Sequence, residues 1–126
     1  ILHKATTLDE CRAQLNALSG KTHLLHTAVA LWSPSEKRLL GETVTIQMKM
    51  RALEPALIDR YVELDKPIGS AGAYLFEGRG ISLFESVTGG DESAIVGLPL
   101  MSVCRLLRQV DIEPISLCLP TPQGGA

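Results

Sequence analysis

Glu77 stands between an aromatic residue and a glycine, in a stretch of chain with little side-chain bulk. The segment GSAGAYLFEGRGISLFESVTGGDESAIVGLPL, residues 69–100, has glycine at positions 69, 72, 78, 80, 89, 90 and 97. Glycine permits positive φ and lets the backbone approach a ligand closely, and loops often carry binding sites. Two interpretations stay open. Either the loop is a ligand-lining wall from which Glu77 recognises the ligand, or the glycines build tight turns and Glu77 is a solvated acid.

Two histidines, His23 and His26, invite interpretation as a metal site. Side chains three residues apart on a β-strand point to opposite faces, and no third ligand lies nearby in the sequence. Structural metal sites need several converging ligands, so we expect none here. The serines lack a nucleophile elbow, and the short GRG run of residues 78–80 is too small for a dinucleotide fingerprint.

The composition limits the class of protein. The chain has 126 residues, 45% apolar and 21% charged, with a net charge of −2, which is ordinary for one globular domain or part of one. Without a basic face we expect no nucleic-acid or membrane-surface partner. No apolar run reaches the roughly 18 residues of a membrane helix, and the polar start, ILHKATTLDE, is not a signal peptide.

The cysteines indicate a reducing compartment. Cys11, Cys104 and Cys118 are odd in number and lack metal-ligand spacing, so they fit reduced thiols better than a disulfide framework. We therefore expect a cytoplasmic protein. The chain begins with Ile1 rather than methionine, from which we expect a fragment or a processed product.

The first half of the chain predicts a helix and a β-hairpin. Thr7 and Glu10 form a capping-box pattern at the start of a helix over residues 7–18. Residues 22–32 predict a mostly buried strand, residues 33–37 a turn, and the alternating residues 42–50 a second strand. We expect the two strands to pair antiparallel, with one face of the second exposed to water.

The second half predicts two more helices and a strand. Residues 54–64 have Pro55 in the first turn, residues 73–76 read as a short extended piece, and residues 81–87 as a strand. A third helix begins at Pro99, and from residue 111 we expect a loosely held tail. The buried faces of the two helices are predicted to be Leu57, Ile58, Tyr61 and Val62, and then Leu100, Val103, Cys104 and Leu107. Interleaved helices and strands indicate an α/β or α+β layered domain with a mixed sheet.

Three blocks of sequence carry a further signal. They are LSGKTHLLHTAVAL (residues 18–31), IDRYVELDKPIGSAGAYLFEG (58–78) and GGDESAIVGLPL (89–100). In order and spacing they resemble the Maf family of nucleoside triphosphate pyrophosphatases. That family pattern runs Ser-Gly-(Arg/Lys)-x-His, then Ala-Gly-(Ala/Ser)-(Tyr/Phe), then a Gly-Asp loop leading into Val-Gly-Leu-Pro-Leu. The resemblance covers about residues 2–109.

The resemblance implies a fold and an activity. The fold is an α/β fold like that of inosine triphosphate pyrophosphatases, with an elongated mixed sheet flanked by helices, two lobes and a cleft. The activity is hydrolysis of a nucleoside triphosphate between the α and β phosphates. Such chemistry needs neutralised charge and an oriented water. The resemblance also implies a divalent cation, usually Mg²⁺, and a homodimer.

Two substrate-binding residues are carried over from the resemblance. Lys4, in ILHK, matches the family lysine beside the triphosphate, although His3 and Ala5 replace the family Gly and Pro. Glu77 matches the position that selects the base: the dTTP/UTP branch has Gln there, and the 7-methyl-GTP branch has Glu. Ser70 agrees with the second branch, because the dTTP/UTP branch has Lys at that position. A carboxylate can accept from guanine N1–H and the 2-amino group together, and 7-methylation adds positive charge to the ring.

The chain also departs from the family pattern. The loop at residues 90–94 reads Gly-Asp-Glu-Ser-Ala, where the family often has Gly-Asp-Tyr-Ser-Asn. The family's Ser-x-Ser-Pro-x-Arg-Arg segment, and the strand with its proposed catalytic Asp and metal contact, are expected before Ile1. We therefore assign residues 1–110 to the C-terminal portion of a Maf-like domain and residues 111–126 to a flexible tail, with no catalytic or metal-binding residue in this chain. The alternatives are a non-catalytic dimerising or regulatory fragment and a dTTP/UTP pyrophosphatase.

Overall fold

The computed structural model describes residues 3–117, and these form an α/β structure. Its strands are β1 (Thr22–Ser33), β2 (Arg38–Met50) and β3 (Phe84–Thr88). Its α-helices are α1 (Leu8–Leu18), α2 (Pro55–Asp65), α3 (Glu92–Val96) and α4 (Leu100–Gln109), and two short 3₁₀ helices span Arg79–Leu83 and Pro114–Leu117. Cys118 and residues 119–126 of the predicted tail lie outside the described residues.

The three strands form one sheet in the order β1-β2-β3. β1 and β2 are joined by the predicted turn, and β2 pairs antiparallel with β3. Met48 lies opposite Val87, and an irregularity after Lys49 shifts the register so that Met50 lies opposite Phe84. Residues 3–117 thus show an antiparallel sheet and not the parallel pairing that a mixed sheet requires.

The burial of the hairpin follows one prediction and contradicts another. In β2, Ile46, Met48 and Met50 are buried while their neighbours face water, which confirms the predicted alternation. The prediction that β1 is mostly buried is wrong. Its residues alternate between half-buried and exposed, and Leu24 is 50% exposed. An apolar run does not specify whether a second layer covers its outer face.

Within the described residues the chain divides into two compact units. The first comprises residues 3–25 and 45–90, and the second comprises residues 26–44 and 91–117. In the first unit α1 packs against α2. The core of that unit includes Cys11, Leu15, Ile46, Met48, Ile58, Tyr61, Val62 and Leu83. Burial of the Cys11 thiol raises its pKa, as expected for a core cysteine.

Helix α1 begins as predicted, with a small variation in its cap. The Thr7 hydroxyl accepts a hydrogen bond from the Glu10 N–H at 3.1 Å. The Glu10 carboxylate accepts from the N–H of Thr6 at 2.6 Å and from the Thr6 hydroxyl at 2.8 Å. The backbone hydrogen bond from Thr6 contributes most to lowering the Glu10 pKa. The Glu10 carboxylate therefore accepts hydrogen bonds from Thr6, the residue before the N-cap, whereas in the usual capping box it accepts from the N–H of the N-cap itself.

Helices α2 and α4 lie where the sequence predicts them, but their buried faces differ from the prediction. In α2, Ile58, Tyr61 and Val62 are buried, whereas Leu57 is exposed. The buried residues of α4 are Ser102 and Leu106; of its predicted face, Leu100 is exposed and the other three are half-buried. The predicted α4 face is therefore wrong. Helical periodicity gives the apolar stripe, while the neighbours decide which part of it is covered.

Two local predictions between the helices also fail. Residues 73–76 are not an extended piece, because Ala73 adopts a left-handed conformation with φ of 64°. The strand predicted over residues 81–87 begins at Phe84, after the 3₁₀ helix Arg79–Leu83. The short helix α3 begins within the loop at residues 90–94.

Candidate functional site

The glycine-rich segment of the first unit, residues 69–80, is called here the Glu77 loop. It begins with residues of positive φ: Gly69 has φ of 86°, Gly72 has 81°, and Ala73 has 64°. Left-handed backbone costs little for glycine and is uncommon for alanine. Ala73 is fully buried, so tertiary packing holds it in this conformation. The loop is therefore fixed by its surroundings.

Aromatic side chains anchor the middle of the Glu77 loop. Tyr74 and Phe76 are buried, and both contact the ring of Phe84 in β3. The Tyr74 and Phe84 rings meet edge to face with centroids 4.9 Å apart, a favourable geometry. The Tyr74 hydroxyl and His23 Nε2 lie 2.9 Å apart, within hydrogen-bond distance. Burial raises the Tyr74 pKa to about 12 and lowers that of His23, so both groups are neutral near pH 7.

The end of the Glu77 loop is a tight turn that contains Glu77. The carbonyl oxygen of Leu75 accepts hydrogen bonds from the N–H groups of Gly78 at 3.0 Å and Gly80 at 2.9 Å. A Cβ atom added to Gly80 would lie 2.3 Å from that oxygen. Only glycine fits there without a shift of the backbone. This part of the glycine pattern therefore serves the turn itself.

Two residues of α2 hold this turn. The Tyr61 hydroxyl accepts a hydrogen bond from the Leu75 N–H at 2.9 Å. Asp65 accepts from the Arg79 N–H through Oδ2 at 2.9 Å and from Arg79 Nη1 through Oδ1 at 2.8 Å. Tyr61 and Asp65 are four residues apart and share one face of the helix. The last turn of α2 is thus bonded to both ends of the turn that carries Glu77.

The titration of this group of residues follows from burial and hydrogen bonding. The Asp65 side chain is only 5% exposed. This burial opposes its ionisation, but hydrogen bonds from Arg79 and Tyr61 outweigh burial and lower its pKa. For Tyr61 burial is the main cause of a strongly raised pKa, to which the nearby Asp65 charge adds. At neutral pH a charged Asp65 therefore sits beside a neutral Tyr61.

Glu77 itself lies on the exposed side of its turn. The residues on either side are constrained by Phe76 burial and by the Gly78 hydrogen bond, whereas the Glu77 side chain faces water. Among residues 3–117 its carboxylate has no hydrogen bond or ion pair. Both oxygens are therefore available to accept hydrogen bonds from a ligand.

Lys4 is brought to the beginning of the same loop. It forms an antiparallel bridge with Ala71, and the carbonyl of the next residue, Ala5, accepts a hydrogen bond from the Gly69 N–H at 2.9 Å. Ala5 is buried and Lys4 is exposed. The structure therefore attaches both predicted substrate-binding residues, Lys4 and Glu77, to one loop, separated by 73 positions in the sequence.

The Gly-Asp loop lies in the second unit, where it caps α3. Asp91 accepts hydrogen bonds from the Ser93 N–H and the Ser93 hydroxyl, and the latter contributes most to lowering its pKa. The Ser93 hydroxyl oxygen in turn accepts from the Leu100 N–H at 2.9 Å. Asp91 and Ser93 thus link α3 to the start of α4, a structural role that the sequence of the Gly-Asp loop did not reveal.

No described part of the chain forms a metal centre. His23 is half-buried and His26 is exposed, on opposite faces of β1, as the strand periodicity predicts. Within residues 3–117 no three His, Cys, Asp or Glu side chains lie close enough to hold a metal ion. Within this range no such cluster marks where the divalent cation that the family resemblance implies would bind, and we derive no step through it. None of the helices within residues 3–117 combines the length and the apolar character needed to cross a membrane.

Comparison with known proteins supports the sequence resemblance. The Maf-like protein family matches residues 1–110. A protein named 7-methyl-GTP pyrophosphatase from Xanthomonas oryzae is 44% identical over 108 residues, which is 86% of this chain and 56% of the relative. One of the same name from Saccharophagus degradans is 34% identical over 115 residues, 91% of this chain and 58% of the relative.

A third relative carries a broader name. A nucleoside triphosphate pyrophosphatase from Acinetobacter baylyi is 40% identical over 113 residues, 87% of this chain and 56% of that protein. The chain belongs to the Maf family. It spans between 56% and 58% of the length of these three relatives.

Sequence reasoning missed the residues that support the loop. Tyr61 was visible only as part of an apolar helix stripe, and Asp65 lies just after the helix predicted over residues 54–64. Their bonds to Leu75 and Arg79 span 14 positions, beyond the range of helix and strand periodicity. A tyrosine followed four residues later by an acid at a helix end was the available signal.

Proposed function

We propose that this chain is part of a nucleoside triphosphate pyrophosphatase that acts on 7-methyl-GTP, and that Glu77 recognises the base. The observation that carries this proposal is the state of Glu77. Its carboxylate is exposed and without a partner among residues 3–117, yet its backbone is held from both sides by hydrogen bonds. A preorganised acceptor loses little conformational entropy when a ligand binds.

The chemistry of a carboxylate at this position favours a guanine base. The N1–H and the 2-amino group of guanine are adjacent donors, and the two oxygens of Glu77 can accept from both. Methylation at N7 places positive charge on the ring, which strengthens hydrogen bonds to a carboxylate. A pyrimidine such as thymine offers one N–H flanked by two carbonyl oxygens, which a carboxylate repels.

Lys4 supplies the second contact in the proposal. Its backbone is fixed by the bridge to Ala71, and its exposed ammonium group is an anion-binding donor. We propose that it neutralises charge on the triphosphate, while water attacks the α-phosphorus and pyrophosphate leaves. Neutralising charge on the phosphate oxygens favours the transition state of such a displacement.

The reaction class is tested by measuring pyrophosphate release from 7-methyl-GTP, GTP, dTTP and UTP. Because the chain spans just over half the length of its relatives, the assay uses both this chain and a fusion that adds the preceding part of the Xanthomonas oryzae protein. We expect release with 7-methyl-GTP preferred. No hydrolysis of any nucleotide by a folded fusion would contradict the enzymatic proposal and favour a non-catalytic, regulatory role.

The same samples test the other properties that the resemblance implies. We propose a cytoplasmic homodimer whose activity needs a divalent cation. Removal of Mg²⁺ with EDTA should abolish pyrophosphate release and added Mg²⁺ should restore it. Light scattering coupled to size exclusion should give twice the mass of one chain. Activity that persists in EDTA, or a monomeric mass for the active fusion, would remove the corresponding part of the proposal.

A further inference from the structure

The first unit contains a small pocket lined by three arginines. It has a volume of about 130 Å³ and lies between one face of α2 and the 3₁₀ helix Arg79–Leu83. Its cationic lining residues are Arg51, Arg60 and Arg79, and its apolar ones are Leu57, Leu64 and Leu83. We call it the arginine pocket. The residues of the family resemblance that carry the proposed activity, Lys4 and Glu77, are not part of this lining.

The positive charge of the arginine pocket is only partly compensated. Arg79 pairs with Asp65, with Nη1 and Oδ1 2.8 Å apart. Arg51 and Arg60 are exposed, and within residues 3–117 neither side chain has an ion pair or a hydrogen bond. Two guanidinium groups thus border one hollow with no carboxylate partner in the described chain. Two positive charges close together repel each other, and an anion bound between them offsets that repulsion.

The pocket also suits an anion in its shape and lining. Guanidinium groups present paired N–H donors that match the oxygens of phosphate or carboxylate. Apolar walls lower the local dielectric and concentrate the field in a cleft of one sign. Tyr61 and Ser82 complete the lining. At about 130 Å³ the hollow accommodates a small group rather than a whole nucleotide.

We propose that the arginine pocket binds a small oxyanion of the phosphate class, with Arg51 and Arg60 as the principal ligands. The ligand has two sources with shared chemistry: free inorganic phosphate and the pyrophosphate that the proposed reaction releases. Arg79 borders the pocket and belongs to the Glu77 loop, and its N–H donates a hydrogen bond to Asp65 of α2. We therefore expect the backbone amides of three lining residues, Arg60, Arg79 and Ser82, to report binding at the pocket. The proposal does not depend on the proposed activity.

The test is a titration of this 126-residue chain, labelled with ¹⁵N, followed by two-dimensional NMR. Separate arms use inorganic phosphate, pyrophosphate and acetate at constant ionic strength, so that the oxyanion class and its source are distinguished. The variant Arg51→Gln/Arg60→Gln removes both uncompensated charges. The matched control Arg38→Gln/Arg108→Gln removes two exposed guanidinium groups from the second unit.

We expect saturable shifts at the amides of Arg60, Arg79 and Ser82 with phosphate or pyrophosphate. The pocket variant should weaken binding by about tenfold or more, because each charge-assisted hydrogen bond contributes at least that much, and the control should bind as the parent does. Arg51→Lys/Arg60→Lys keeps the charge without the paired donors, so its affinity for the anion should lie between that of the pocket variant and that of the parent. Whichever anion binds more tightly, phosphate or pyrophosphate, identifies the source of the ligand.

Three results would overturn the proposal. They are shifts that do not saturate, equal weakening in the pocket and control variants, and acetate binding as tightly as phosphate. Circular dichroism of each variant separates lost binding from lost folding. If the pocket variant is unfolded, the Lys variant decides, since it preserves the charge at both positions.

Discussion

Replacement of Asp65 tests how the protein holds the turn that carries Glu77. In Asp65→Ala two donors lose their acceptor, the Arg79 N–H and the Arg79 guanidinium, and the neighbouring Tyr61 hydroxyl loses its interaction with the carboxylate. The Asp65 side chain is 5% exposed, whereas that of Arg79 is 61% exposed. The loss at the backbone N–H and beside the buried Tyr61 hydroxyl should therefore exceed the loss of the ion pair itself.

The magnitude follows from these exposures. An exposed ion pair contributes roughly 0–1 kcal/mol, while a buried polar group left without a partner costs about 1–3 kcal/mol. We expect Asp65→Ala to lower the free energy of opening of the turn by about 1–3 kcal/mol. Asp65→Asn keeps one acceptor oxygen and should cost about half as much. Asp59→Asn, which breaks an exposed pair with Arg12, is the control and should cost less than about 1 kcal/mol.

The assay is native-state hydrogen exchange of individual amides. The amides of Leu75, Gly78 and Gly80 make the hydrogen bonds of the turn, so their protection should fall in Asp65→Ala while protection in α1 stays closer to the parent. Equal protection of these amides in the Asp65→Ala and Asp59→Asn variants would refute the argument. It would show that the turn is stable without its bonds to α2.

Other predictions concern pH and two further positions. The folded-state pKa of Asp65 lies below its ordinary value of 3.8. Its contribution to stability is therefore present above that value and is lost as pH falls through the folded-state pKa. Acid unfolding followed by circular dichroism should begin at higher pH in Asp65→Asn than in the parent. Gly80→Ala places a methyl group 2.3 Å from the Leu75 carbonyl oxygen. It should lower the free energy of unfolding, measured by urea denaturation, by about 1–3 kcal/mol. An unchanged free energy would show that the backbone of the turn moves aside at little cost. Thr7→Ala removes the α1 cap and should cost about 1 kcal/mol in the same measurement, and no loss would mean that Thr6 and Glu10 cap the helix alone.

The parts of the fold that local chemistry determines were predictable from the sequence. Thr7 and Glu10 mark the start of α1, because capping depends on residues three apart. Alternation from Ile46 to Met50 marks the buried face of β2. In contrast, β1 and α4 lie in the right places with the wrong burial. Which apolar residue is covered depends on elements distant in the sequence, and no local pattern contains that information.

The candidate site shows the same division. The glycines indicate turns or close approach, and the structure shows that Gly80 is required by the Leu75 carbonyl. The sequence did not indicate that Tyr61 and Asp65 hold this turn, since their partners lie 14 positions away. Nor did it show that Lys4 pairs with the beginning of the loop at Ala71. Such contacts depend on tertiary structure.

The selectivity of a Glu77→Gln variant tests the central claim most directly. In the fusion with the Xanthomonas oryzae segment, kcat/KM for 7-methyl-GTP and for dTTP is measured in the parent, in Glu77→Gln and in Glu63→Gln. Glu63 is an exposed acid of the same unit. We predict that Glu77→Gln lowers the ratio of kcat/KM for 7-methyl-GTP to kcat/KM for dTTP by about tenfold or more, because that is the contribution of one charge-assisted hydrogen bond. Glu63→Gln should leave this ratio unchanged. Equal losses on both nucleotides in Glu77→Gln would contradict the claim that this carboxylate reads the base.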